Sequence, residues 1–154
     1  MTHLTRRSAT FSMLAAIVAP VSVVAQTTEI WSAEMTAEAL QQDLIRLIDV
    51  RSRPEWAQTG IAQRAWPISL HEDRFSERLF AAREQADGRP VALICATGGR
   101  SGRVMRSLRQ AGYSGFVDVS EGMLGSSVGP GWIAGGHPIV SMADALSALP
   151  KELV

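Results

Sequence analysis

An α/β chain, with a small parallel sheet flanked by helices on both faces, is what three features of these 154 residues predict. Leu44 to Ile48, Val91 to Ile94 and Phe116 to Val119 are short and largely apolar, long enough for buried strands and too short for helices. Stretches of helical spacing separate them, so the strands are joined by crossovers and run parallel. Two of the runs end at residues with chemistry, Asp49 and Cys95. In sheets of this kind ligands bind beyond the carboxyl ends of the strands.

Taken in order, Thr28 to Trp31 predicts a short edge strand, and Thr36 to Gln42, rich in good helix formers, a short helix. The run Leu44 to Ile48 then forms a buried strand ending at Asp49-Val50-Arg51. At Ser52-Arg53-Pro54-Glu55 the pattern predicts a helix start: Ser52 caps, Pro54 fits the first turn and Glu55 completes a capping box. Trp56 is then a core aromatic. A short strand around Trp66 to Leu70 follows. His71 to Ala86 has helical spacing, with Phe75, Leu79 and Ala82 or Ala86 on one face, and Asp87-Gly88-Arg89-Pro90 stops it. Ser101 to Gln110 forms the next helix, with Ser101 as its N-cap and Gly112 suited to the left-handed position at its end. The tail, 141–154, predicts a short helix packed on the domain and has no functional reading.

Cys95, the one cysteine of the chain, stands between the strand Val91 to Ile94 and the loop Ala96-Thr97-Gly98-Gly99-Arg100-Ser101. A lone cysteine closing an apolar strand is commonly a small buried hydrophobe. The loop argues for chemistry instead. Glycines at 98 and 99 supply positive φ where successive N–H groups must converge, and a helix start adds its dipole, so the sulfur would lie in a bowl that favours thiolate. A nucleophilic or sulfur-carrying cysteine follows. Arg100, at the junction of loop and helix, either faces an incoming anion or pairs with Asp49 or Glu55. Arg51 and Arg103 are secondary anion contacts or solvated side chains, and Trp66 either roofs the pocket or packs in the core.

The first 25 residues belong outside the domain. Arg6-Arg7 precede a mostly apolar stretch from Phe11 to Val24, and Val23-Val24-Ala25 offers small residues before Gln26, the pattern of a secretory signal cut after Ala25. An uncleaved anchor is the alternative, and Thr5-Arg6-Arg7 leaves a twin-arginine route open. Export, to the periplasm, is therefore expected, with no stable membrane insertion after cleavage. Fifteen basic residues against fifteen acidic ones leave no electrostatic footprint for nucleic acid. Losing 1–25 takes away Arg6 and Arg7 and no acid, so thirteen basic residues face fifteen acidic ones, a net charge of −2. An exported chain with one cysteine forms no internal disulfide.

Ile48-Asp49-Val50-Arg51, Pro54-Glu55-Trp56, Gly60, the run Cys95 to Ser101, Gly112-Tyr113, Gly122-Met123 and Trp132 to Val140 occur in the order of a single-domain rhodanese, and over residues 28–140 the chain resembles that family. The resemblance implies a rhodanese-like fold and a sulfurtransferase. Its cysteine thiolate takes the outer sulfur of a donor such as thiosulfate, holds it as a persulfide, and passes it to cyanide or a thiol, without metal or organic cofactor. Asp49, Arg51 and Glu55 then support the anion loop 96–101. The chain departs from the family pattern at three places: Gly60-Ile61-Ala62-Gln63-Arg64-Ala65 stands for Gly-His-Ile-Pro-Gly-Ala, Glu121-Gly122 stands for two glycines, and residues 125–131 are inserted.

Other readings of the same residues remain. Cell-cycle phosphatases of this fold resemble the chain, but they place five residues between cysteine and arginine, and Ala96 to Gly99 are four. A sulfur carrier serving a partner protein's thiol, or an interaction module, is the non-enzymatic alternative. His71 and His137 have no carboxylate or cysteine at ligand spacing, so no metal site is expected. Gly98-Gly99 lacks the third glycine of a dinucleotide fingerprint.

Overall fold

The computed structural model describes residues 30–154. The expected signal peptide and its cut after Ala25 lie outside the described residues, as do Thr28 and Glu29 of the expected edge strand. In chain order the elements are β1 (Ile30–Trp31), α1 (Ala33–Gln41), β2 (Arg46–Asp49), α2 (Arg53–Thr59), β3 (Ile61–Ala62), β4 (Trp66–Pro67), α3 (Phe75–Gln85), β5 (Val91–Ile94), α4 (Gly99–Gln110), β6 (Phe116–Val119), α5 (Gly131–Ala134), β7 (Ile139–Val140), α6 (Met142–Ser147) and a closing 3-10 helix (Lys151–Leu153). Five strands lie side by side as β1-β6-β5-β2-β4, all parallel. The α/β expectation holds, and a two-stranded antiparallel pair, β3 with β7, stands apart from the main sheet.

Both faces of the sheet are covered, and β5 shows how. Side chains alternate across a strand, so Ala92 and Ile94 join Leu47, Trp56, Val117 and Trp132 on one face. Val91 and Leu93 join Phe75, Leu79, Met105 and Leu108, supplied by α3 and α4, on the other. Cys95 keeps the odd parity and falls on the α3–α4 face. Register places Ile48 beside Leu93 and Asp49 beside Ile94, so β2 and β5 end together.

Several boundaries depart from expectation for local reasons. Helix α1 starts at Ala33 and not at Thr36, because Ser32 takes an extended conformation and its Oγ accepts from Met35 N at 3.0 Å. Strand β2 starts at Arg46, with Leu44 turned out to 57% exposure after Asp43 adopts φ 60°. Helix α3 starts at Phe75, since His71 to Arg74 are spent in turns. Strand β4 is two residues long, although Ile68 N to Asp49 O and Leu70 N to Val50 O, each 3.1 Å, continue the contact with β2.

Residues 125–131 leave and re-enter the fold at one point. Gly125 and Gly131 have φ of 90° and 80°, and a Cβ on Gly131 would collide with the Gly125 backbone. Between them Ser126 N donates to Gly129 O at 2.9 Å and Gly129 N returns to Ser126 O at 3.3 Å. Beneath, Glu121 is buried and its Oε2 accepts from Gly131 N at 3.0 Å. At the far end of the chain, Leu153 is fully buried against the α3 face, and its carbonyl accepts from Arg78 Nε at 2.7 Å.

Candidate active site

Strand β5 delivers Cys95 to the carboxyl edge of the sheet, where the residue is 1% exposed at the foot of the loop 96–101. The loop closes quickly because Gly98 turns left-handed, φ 81°, and α4 begins at the next residue. Ser101 is therefore not the N-cap: Gly98 holds that position, and Ser101 stands one turn into the helix. Its freed hydroxyl lies 3.5 Å from Cys95 Sγ and 3.2 Å from Gly98 O. One hydroxyl proton serves either acceptor, and an ionised sulfur is the stronger one.

Burial pushes the Cys95 thiol up, but hydrogen bonds from the Ser101 hydroxyl and from the N–H groups of Ser101, Thr97 and Arg100 outweigh it and hold the thiol below its ordinary value. These donors are the bowl the loop sequence predicts, with one correction. Only Gly98 has positive φ; Gly99 is an ordinary first helical residue, with open space where a side chain would go. Ala96 is half-buried and Thr97 exposed at the rim.

The loop is clamped from behind by the turn after β6. Met123 N donates to Cys95 O and Leu124 N to Ala96 O, each at 2.8 Å. Contact is backbone on backbone: a Cβ at Gly98 would strike the Ser120 carbonyl, and one at Gly122 would strike that of Ala96. Gly122 is legible as a motif glycine, but this reciprocal fit is not. Asp118, close by, is buried, which pushes its carboxyl up against the opposing charges of Arg106 and Arg109, and its Oδ1 has no partner among the described residues.

Arg100 pairs with Glu55 and not with an open anion site. Nη1 donates to Oε2 at 2.8 Å and Nη2 to Oε1 at 2.5 Å. Hydrogen bonds from Arg100, then from Ser52, hold the Glu55 carboxyl down at about 2. Ser52 N and Oγ donate to Oε2 at 2.9 and 2.6 Å, so the box that starts α2 also aims Glu55. His71 Nε2 lies 3.4 Å from Arg100 Nη1.

Arg51 is neither solvated nor an anion contact. At 1% exposure it is locked to Asp49 through Nε, 3.0 and 3.1 Å, and Nη2, 2.7 Å. The same guanidinium donates to Thr59 Oγ1 and Gly60 O, at 2.8 and 2.7 Å, at the far end of α2. Asp49 and Arg51 thus fasten both ends of the helix that carries Glu55, and Glu55 holds Arg100. Arg103 is exposed on α4. Trp66 does not roof the pocket: it opposes Ile48 rather than the strand ends, with the Arg46 guanidinium 5.8 Å from its ring, and lines a separate cleft with Leu40 and Ala145.

The thiol stands in a ring of N–H donors at the carboxyl edge of a parallel five-stranded sheet, which places the molecule among α/β proteins with a buried cysteine at a loop-to-helix junction. The chain belongs to the rhodanese-like family, whose domain model matches residues 32–126. It is similar to an uncharacterized protein of Synechocystis sp., with 28% identity over 127 residues, covering 82% of this chain and 64% of that protein's length. Among solved structures it resembles a rhodanese-related protein of Thermoplasma volcanium, TM-score 0.53 and 26% identity over 73% of this chain and 97% of the other. A rhodanese-like domain protein of Staphylococcus aureus gives TM-score 0.54 and 24% identity, over 73% and 99% of the two chains, and so shares the fold.

Proposed function

We propose that this protein is a sulfurtransferase that carries sulfane sulfur on Cys95. The observation that carries the reading is the donor set around Sγ: the Ser101 hydroxyl and three backbone N–H groups favour the ionised form of a buried sulfur. The thiolate attacks the outer sulfur of thiosulfate; the donor's S–S bond breaks with its electron pair leaving on sulfite, and a Cys95 persulfide forms. Cyanide or a thiolate then attacks the outer sulfur of that persulfide, and Cys95 departs again as thiolate. Charge balances in both steps, and no oxidant is consumed. The cradle's donors serve the persulfide anion as they serve the thiolate, and their fixed positions avoid reorganisation during transfer. Ala96, Thr97, Gly98, Gly99, Arg100 and Ser101 form the anion loop, while Asp49, Arg51 and Glu55 position it. We further propose export to the periplasm through the signal in residues 1–25.

Intact mass of the purified protein before and after thiosulfate tests the chemistry. One sulfur is gained, cyanide removes it, and thiocyanate appears with turnover; the same spectrum reads whether the chain starts at Gln26. Cys95→Ser should gain no sulfur and lose turnover while its unfolding transition stays close to the parent's, because the side chains differ by one atom. Near-normal turnover by that variant refutes the assignment, and loading without turnover marks a dedicated carrier.

A further inference from the structure

A groove of about 440 Å3 runs between α3 and α4, and it begins at Arg100, whose backbone N–H belongs to the cradle. Arg100, Arg103, Val104, Ser107, Leu108 and Ala111 recur at helical spacing and make one wall, about 16 Å long at about 1.5 Å per residue. Phe75, Leu79 and Phe80 make the other, and Tyr113 closes the end, its ring centroid 4.7 Å from that of Phe80. Phe75, Leu79 and Leu108 pack in the same core cluster as Cys95, so the groove lies on the face to which strand parity sends the sulfur.

Its charge is one-sided. No carboxylate lines it. Both terminal nitrogens of Arg100 are taken by Glu55, whereas Arg103 takes part in none of the ion pairs among the described residues. An uncompensated guanidinium thus stands about one helical turn from the cradle, at the near end of a trough whose far end is aromatic.

Resting on the sulfurtransferase reading, we propose that this groove selects the sulfur acceptor, and that the acceptor is a small thiol with a carboxylate a few bonds from its sulfur and an apolar, aromatic body. The carboxylate meets Arg103, the body lies between α3 and α4 toward Tyr113, and the sulfur reaches the cradle. Its thiolate attacks the outer sulfur of the Cys95 persulfide; the Cys95 S–S bond breaks with its electrons on Cys95, and the acceptor leaves as a persulfide.

The test compares three acceptors with thiosulfate as donor: 2-mercapto-3-phenylpropanoate, its carboxamide, and 2-mercaptopropanoate. Each variant's kcat/KM is divided by the parent's, which cancels the intrinsic reactivity of each thiol. Arg103→Gln should lower the value for the phenyl acid about tenfold and that for the amide less than about twofold, the loss of one charge-assisted contact. Val104→Ala, in the same wall next to Arg103 and within a phenyl group's reach of the cradle, should penalise both phenyl compounds more than 2-mercaptopropanoate. An equal effect of Arg103→Gln on acid and amide overturns the proposal. Binding of the unreactive 2-methylthio-3-phenylpropanoate, followed by calorimetry, separates the two levels of inference. Transfer to cyanide with no saturable thioether binding overturns the groove alone. Absence of transfer to cyanide overturns the sulfurtransferase reading and the acceptor role with it.

Discussion

At Cys95 burial and hydrogen bonding oppose each other, and the hydrogen bonds win. The alkylation rate plotted against pH should therefore turn over below the free-cysteine value of about 8.5, and Ser101→Ala, which removes the strongest single donor, should move that midpoint up. An unchanged midpoint in the variant would show that the hydroxyl donates elsewhere. The two loop glycines separate just as sharply. Gly98→Ala places a side chain at φ 81° against the Ser120 carbonyl, so conformational strain of about 1–3 kcal/mol adds to a collision, and both denaturant midpoint and transfer rate should fall. Gly99→Ala faces open space on a helical residue and should cost nothing, or stabilise by about 0.5–1 kcal/mol. Sequence marks these glycines alike. Their difference is a matter of φ and of a carbonyl brought in by another strand, and neither leaves a trace in local composition.

Helix α2 shows what local sequence does and does not reveal at the scale of an element. Its start is readable in four residues, Ser52 to Glu55, because a cap is a local arrangement. That Glu55 also grips Arg100, 45 positions onward, requires the sheet to bring β2 and β5 to a common end. Arg51 misleads for the same reason: its burial depends on Gly60 and Thr59 folding back over it. The Glu55 carboxyl is held down at about 2, well below its unperturbed 4.5, so its ion pair stabilises the fold above about pH 4.5 and that contribution is lost as pH falls toward 2. Because both partners remain partly solvated, the contribution is discounted to about 1–2 kcal/mol. Urea unfolding at pH 7 and pH 3 checks this. Glu55→Gln should be less stable at pH 7 and closer to the parent at pH 3; a constant gap would remove the ion pair from the account.

Across the whole molecule, the alternating order of strands and helices is enough to predict the parallel sheet, and its strand ends locate Asp49 and Cys95 at one edge. The C-terminal tail is legible as a short helix on the domain, and α6 is that helix, but the burial of Leu153 beside Arg78 is not legible, since it joins residues 75 apart. Leu153→Ala should destabilise the domain by about 2–5 kcal/mol through the cavity it leaves, with a lower thermal midpoint and normal sulfur transfer at 25 °C, because Leu153 supplies none of the cradle's donors. A lowered transfer rate in the folded variant would couple the tail to the site. The segment 125–131 has a different relation to the whole. Since Gly125 and Gly131 meet backbone to backbone at its base and Glu121 secures Gly131 there, its length is decoupled from the scaffold. Ser127 and Val128, at its tip, form a natural port for grafting: foreign peptide spliced between them would be presented beside the turn that clamps the cysteine loop, without altering the path of the chain on either side.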